Sequence, residues 1–187
     1  LDNVNEMHRL LKSLSEFSGP ERPHLEYLDI HQSLSQVLAF VVKEAEGRKV
    51  KIETDFRESL PISADHKKLK QVFLNFFKNA LEAMPEGGRL SVKTRLASGD
   101  FSEKKSGMTI QISDTGVGIA QEEIDFIFRP FYSTKKGGTG LGLSFCQRII
   151  EEHGGEITVD SQIGRGTTFT ILLPLKRERE KIWTPAG

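Results

Sequence analysis

The chain has 187 residues, with 26 Lys and Arg balanced by 26 Asp and Glu. That length suits one domain able to bury a core, and the even charge excludes a bulk electrostatic partner such as nucleic acid or an anionic membrane. A single cysteine, Cys146, excludes an internal disulfide, and no apolar run reaches the roughly 18 residues of a membrane span.

The chain opens at Leu1, not at methionine, inside a helical pattern, and it reads as part of a longer protein. Over 1–18, Val4, Met7, Leu10, Leu11, Leu14 and Phe17 recur at three- and four-residue steps, until Gly19, Pro20 and Pro23 end the helix. A second helix is predicted from the N-cap Asp29 to a C-cap at Gly47, carrying Leu34, Val37, Leu38, Val41 and Val42. Two extended pieces follow near 49–55 and 60–63. Helix 65–84 starts at the cap Asp65 and presents a wide apolar face, Leu69, Val72, Phe73, Phe76, Phe77, Ala80, Leu81 and Met84, before Pro85, Gly87 and Gly88 end it. Strands at 89–96 and 107–113 flank a polar hairpin connection at 98–106. A short helical piece near 121–126 precedes a helix from Gly142 to Gly154, then strands at 156–161 and 167–173. The alternation of helices with strand pairs predicts a two-layer α/β (α+β) sandwich, with helices on one face of a mixed, mostly antiparallel sheet.

Three clusters carry chemistry. Asn75 and Asn79 are four apart on one side of helix 65–84, at the edge of its apolar stripe. They are either satisfied boundary amides or hard oxygen ligands for Mg²⁺ beside phosphates. Asp114 ends the row Met108, Ile110, Ile112, Asp114 on one strand face. It is either a turn aspartate or a buried acceptor awaiting a donor such as an adenine amino group. Gly116 and Gly118 follow it without making a dinucleotide fingerprint. Residues 137–144, GGTGLGLS, run into a helix whose free N–H groups suit phosphate, although no Walker A lysine closes the loop.

Five segments, QVFLNFFKNALEAM from Gln71, DTGVGI from Asp114, IFRPFYSTK from Ile127, GTGLGLS from Gly138 and GRGTTF from Gly164, occur in that order. They resemble the N, G1, F, G2 and G3 boxes of sensor histidine kinases of the GHKL ATPase superfamily, and most resemble the nitrogen-regulation subgroup. The resemblance covers about residues 60–175 and implies the Bergerat ATP-binding fold. It implies that Asn79 ligates Mg²⁺ with Asn75 in support, and that Asp114 accepts from the adenine amino group with Thr168 beside it. Gly116, Gly118 and Ile119 would pack against the base. Residues 120–139 would form a lid over ATP or ADP, anchored by Phe128 and Phe131. Lys135 would reach the phosphates, and Gly138, Thr139, Gly140, Leu141 and Gly142 would cradle them.

Residues 1–22 resemble the second helix of a dimerisation and phosphoacceptor hairpin, which makes 23–176 the catalytic domain and 177–187 a tail. The phosphoacceptor box itself is absent, because His8 is followed by Arg-Leu-Leu and no other histidine has the expected acidic neighbour. The five histidines therefore read as surface or packing residues, and the chain alone is not expected to autophosphorylate. The resemblance further implies transfer of the ATP γ-phosphoryl group to a histidine, relay to a response-regulator aspartate, a homodimer in the full-length protein and a cytoplasmic location. Arg129 stands where relatives have Glu, and Tyr132-Ser133 where many have Phe-Thr. The rivals are an ATP hydrolase of the same fold, an anti-sigma type serine kinase and a non-catalytic interaction module. Hydrolases of this fold carry a glutamate one helical turn before the metal asparagine, where this chain has Asn75.

Overall fold

The computed structural model describes residues 23–57, 61–97, 107–135 and 138–175. The helix expected at 1–18, the connection at 98–106, Lys136, Gly137 and the tail lie outside the described residues. Strand β1 (Glu26–Leu28) leads into helix α1 (Ile30–Gly47), strand β2 (Val50–Phe56), strand β3 (Ile62–Ala64) and helix α2 (His66–Ala83). Strands β4 (Gly88–Ala97) and β5 (Gly107–Asp114), helix α3 (Gly142–Glu152) and strands β6 (Glu156–Gln162) and β7 (Gly166–Pro174) complete the domain.

Five strands form one sheet in the order β2-β4-β5-β7-β6. Among the described residues only the β2–β4 pair is parallel. The reason is topological: α2 separates those strands, and a crossover returns the chain in the same direction. The mixed, mostly antiparallel sheet expected from the sequence is the one observed. One element escaped the sequence reading. The three-residue β1 pairs antiparallel with β3 as a separate ribbon, and three residues are too few for a period-2 pattern to show.

Helix formation follows local chemistry. The Asp29 carboxylate accepts from His31 N at 2.9 Å to open α1, and Asp65 accepts from Lys68 N at 3.0 Å to open α2. Gly47 is the last residue of α1 and not its left-handed cap. Lys49 takes that conformation instead, with φ of 59°. On α2 the three- and four-residue spacing buries Phe73, Phe76 and Phe77 almost completely, each contributing roughly 1.5–3 kcal/mol relative to exposure. They meet the inward row of the sheet, including Leu90, Val92, Ile110, Ile112, Phe169 and Ile171. Cys146 is part of this core, and burial pushes its thiol up to about 12, so it is a packing residue and not a nucleophile.

His153 joins the ends of two helices. The Asp65 backbone N–H donates to its Nε2 at 2.9 Å, and its Nδ1 lies 2.6 Å from the Ile149 carbonyl. The first bond makes Nε2 the acceptor, so the proton resides on Nδ1. This is a packing histidine, as the sequence suggested. No helix among the described residues is long and apolar enough to cross a membrane.

Candidate functional site

A cavity of about 560 Å³ opens between α2, the C-terminal end of β5, the segments 117–135 and 138–140 and the start of α3. It holds residues from all three sequence clusters: Asn75 and Asn79, Asp114, Gly118 and Ile119, and Lys135 with Gly138, Thr139, Gly140 and Gly142.

Asp114 forms the deep end. It is the last residue of β5 and keeps the inward parity of Ile110 and Ile112, which is why the strand delivers a carboxylate to the core side. Its Oδ1 accepts from Gly116 N at 2.8 Å and from Thr167 N at 3.3 Å. Its other oxygen has no hydrogen bond within the described residues. Burial raises the Asp114 pKa, and the two N–H donors and the Lys135 charge oppose that rise only in part. An 8% exposed carboxylate with a spare oxygen is a strong place for a ligand N–H to donate.

The loop after Asp114 is shaped by two close approaches. A Cβ on Gly116 would lie 2.4 Å from the Ala83 carbonyl, and Gly118, at φ of 73°, would meet the Gln162 carbonyl at 2.1 Å. Gly116 therefore seats β5 against the end of α2 and does not line the cavity, while Gly118 does line it. At the other wall, Gly140 has φ of 67° and lies against the Phe131 backbone, whose N–H donates to the Gly140 carbonyl at 2.9 Å. At Gly142 the nearest atoms to an added Cβ are those of the Asn75 amide, 3.9 Å away. The start of α3 thus stays open toward the α2 amides.

The segment from 121 to 135 contains a cluster of its own. Tyr132 donates to Glu123 at 3.3 Å, Arg129 sits 4.3 Å above the Phe126 ring, and Phe128 contacts Phe169 edge-on at 6.4 Å. Phe128 therefore anchors this segment through its ring. Phe131 does not, since the residue is 66% exposed and its backbone is what is tied down.

The outer end of the cavity is cationic and amide-lined. Lys135 Nζ donates to Asn79 Oδ1 at 3.0 Å and to Glu82 Oε2 at 2.5 Å. A positive charge already rests on the Asn79 oxygen, so that amide is oriented to hold a cation. Among the described residues no group of three or more His, Cys, Asp or Glu could hold a metal. A divalent ion here would rest on the amides and on oxygens of a bound ligand, which is how Mg²⁺ is commonly held beside phosphates.

Two expected site residues lie elsewhere. Thr168 pairs with Ser113 in the register and donates to its hydroxyl at 2.9 Å, on the sheet face away from the helices. The residue beside Asp114 is its neighbour Thr167, which is buried and lines the cavity. The alternation Thr167, Phe169, Ile171, Leu173 carried this signal. Leu141 is also buried, 2% exposed, and caps α3 instead of lining the cavity. The sequence reading missed Lys78, Glu82 and Glu123 in the cavity wall. For Glu82 a signal existed, because it lies one turn beyond Asn79.

The model of the histidine kinase-, DNA gyrase B- and HSP90-like ATPases matches residues 64–177. The chain is 36% identical over 178 residues to the sensor histidine kinase ZraS of Escherichia coli, covering 95% of this chain and 37% of that protein. It thus spans well under half of that relative's length. The catalytic domain of the histidine kinase ThkA superposes with a TM-score of 0.70 at 27% identity, covering 81% of this chain and 95% of that one. Full-length ShkA in complex with AMPPNP superposes at 0.80 and 26% identity, covering 92% of this chain and 36% of that one. ThkA in complex with its response regulator protein TrrA gives 0.73 at 26% identity, covering 96% and 50%. The chain therefore belongs to the histidine kinase-, DNA gyrase B- and HSP90-like ATPase family, as an ATP-binding catalytic domain of the sensor histidine kinase type.

Proposed function

We propose that this domain binds Mg²⁺-ATP in the cavity and donates the γ-phosphoryl group to a histidine on a helical hairpin of the parent protein, for relay to an aspartate of a response regulator. One observation carries the reading: the buried Asp114 offers an unpaired carboxylate oxygen at one end of the cavity, while at the other the Asn79 oxygen accepts from the Lys135 ammonium. The deep end suits the adenine amino group, with Gly118 and Ile119 against the base. Asn79, supported by Asn75, would hold Mg²⁺, which supplies charge neutralisation to the phosphates. Lys135 and the turn Gly138 to Gly142 would bind the phosphates themselves. The AMPPNP bound by ShkA and the response regulator bound by ThkA support the ligand and partner classes.

The domain's share of the chemistry is positioning and charge stabilisation, which dominate phosphoryl transfer. Asn75 stands where hydrolases of the fold carry a basic glutamate. An amide cannot take a proton from water, so the domain directs the phosphoryl group to a protein acceptor. We further place residues 1–22 in the dimerisation hairpin of the parent protein, and the domain in the cytoplasm.

The test is calorimetric titration of Mg²⁺-ADP and Mg²⁺-ATP, with phosphate release followed in the same samples, beside Asp114→Ala. Binding by the native chain, loss in the variant and negligible release are expected, followed by phosphorylation of the parent's histidine hairpin supplied in trans. No binding by the native chain sinks the reading, and rapid phosphate release moves the domain to the hydrolase branch.

A further inference from the structure

The contact of Lys135 with α2 has a consequence for how ligand enters. Asn79 and Glu82 lie three residues apart on α2, so their side-chain oxygens face one spot. Lys135 crosses to that spot from the lid, with its ammonium 3.0 Å from Asn79 Oδ1 and 2.5 Å from Glu82 Oε2. Lys135 N donates to Ser133 Oγ at 3.2 Å, and Gly138 N donates to the Lys135 carbonyl at 3.0 Å. The ammonium thus covers the amide oxygen assigned above to the metal, and the carboxylate that fixes it there is Glu82.

We propose that Glu82 is a positioning residue, holding Lys135 over Asn79 until a nucleotide draws the lysine away to its phosphates. This rests on the nucleotide reading of the cavity. In the free protein the Lys135–Glu82 pair closes the lid onto α2 and neutralises the outer end of the cavity. On binding, Lys135 exchanges a carboxylate for phosphate oxygens and uncovers Asn79 for the cation. Lys78, one turn before Glu82 on the same cavity wall, is placed to take over the released carboxylate.

The experiment follows amide hydrogen exchange of Phe131, Lys135 and Gly138 in the nucleotide-free chain, and ADP affinity by calorimetry. Both partners of the pair are nearly half exposed, so Glu82→Gln should speed exchange by only about two- to fivefold. Lys135→Met should do the same, and the double variant should add nothing further. The reversed pair, Glu82→Lys with Lys135→Glu, should restore protection yet bind ADP no better than Lys135→Met, because the lysine is no longer on the lid. High salt should erase the difference between native chain and Glu82→Gln. Unchanged exchange in Glu82→Gln, additive effects, or no rescue by reversal would overturn the proposal while leaving nucleotide binding intact. If the native chain binds no ADP, the nucleotide reading fails and takes the role of Glu82 with it, whatever the lid exchange shows.

Discussion

The two ends of the cavity are built by opposite physics. At the deep end, Asp114 is fixed by strand parity, by two backbone N–H donors and by glycines that let β5 meet α2 and the 162–164 turn. At the outer end, the geometry rests on an exposed lysine reaching a surface carboxylate and one amide. The first arrangement is held by the core and cannot shift without disturbing the sheet. The second is held by charge in water, where a pair contributes about 1 kcal/mol or less. A ligand entering this cavity would meet a wall fixed by the core at one end and one held by exposed charge at the other.

The comparison breaks most readily at the rigid end. Asp114→Ala should weaken ADP binding by roughly a hundredfold or more, since it removes a charged acceptor from a buried contact; calorimetry reads this directly. Asp114→Asn should lose affinity comparably yet leave the fold at least as stable at neutral pH. The sign follows from the raised pKa of the folded carboxyl. The folded state holds that proton more tightly than the unfolded chain, so stability from this group is complete below 3.8, its ordinary value, and is lost as pH rises through the higher folded value. Urea titrations across pH should show Asp114→Asn gaining on the native chain over that window, and the gap closing in acid.

At the outer end, Asn79→Ala should cost about tenfold in Mg²⁺-ADP affinity and much less for ADP measured with a chelator, if the amide serves the metal. Equal losses in both titrations would place Asn79 in general packing. A smaller effect tests a second carboxylate. Asp65 accepts from Lys68 and His24, and although burial disfavours its charge, these donors hold its pKa below the ordinary value. Asp65→Ala should therefore destabilise the domain by about 1 kcal/mol through loss of the cap. Its contribution should be present at neutral pH and vanish as pH falls through the folded value, opposite in sign to Asp114. The smallest expected effect is at Thr168. Thr168→Ala should change ADP affinity by less than about twofold, because its hydroxyl faces Ser113 across the outer sheet face. A large loss there would show that the sheet face facing away from the helices belongs to the site.

Much of this was legible along the chain, and the failures share a cause. The apolar steps of α2 and the carboxylate caps Asp29 and Asp65 are local signals, and they placed both helices to within a residue or two. Asp114 was legible because strand parity is also local. Thr168 was misassigned although the same parity argued for Thr167, since the box resemblance marks a segment and not which of its side chains turns inward. The resemblance likewise implied that Phe131 anchors the segment over the cavity, whereas the residue is exposed and its backbone is what the fold holds.

The sequence by itself determined the elements, the inward rows and the identity of the chemical groups, because periodicity and capping act over a few residues. Tertiary structure alone decided the parallel β2–β4 pairing, the three-residue β1 ribbon and the meeting of Lys135 with Asn79 and Glu82. Those contacts join segments more than thirty residues apart, and no spacing rule along the chain reports which distant groups the packing of α2 against the sheet will bring within a hydrogen bond of one another.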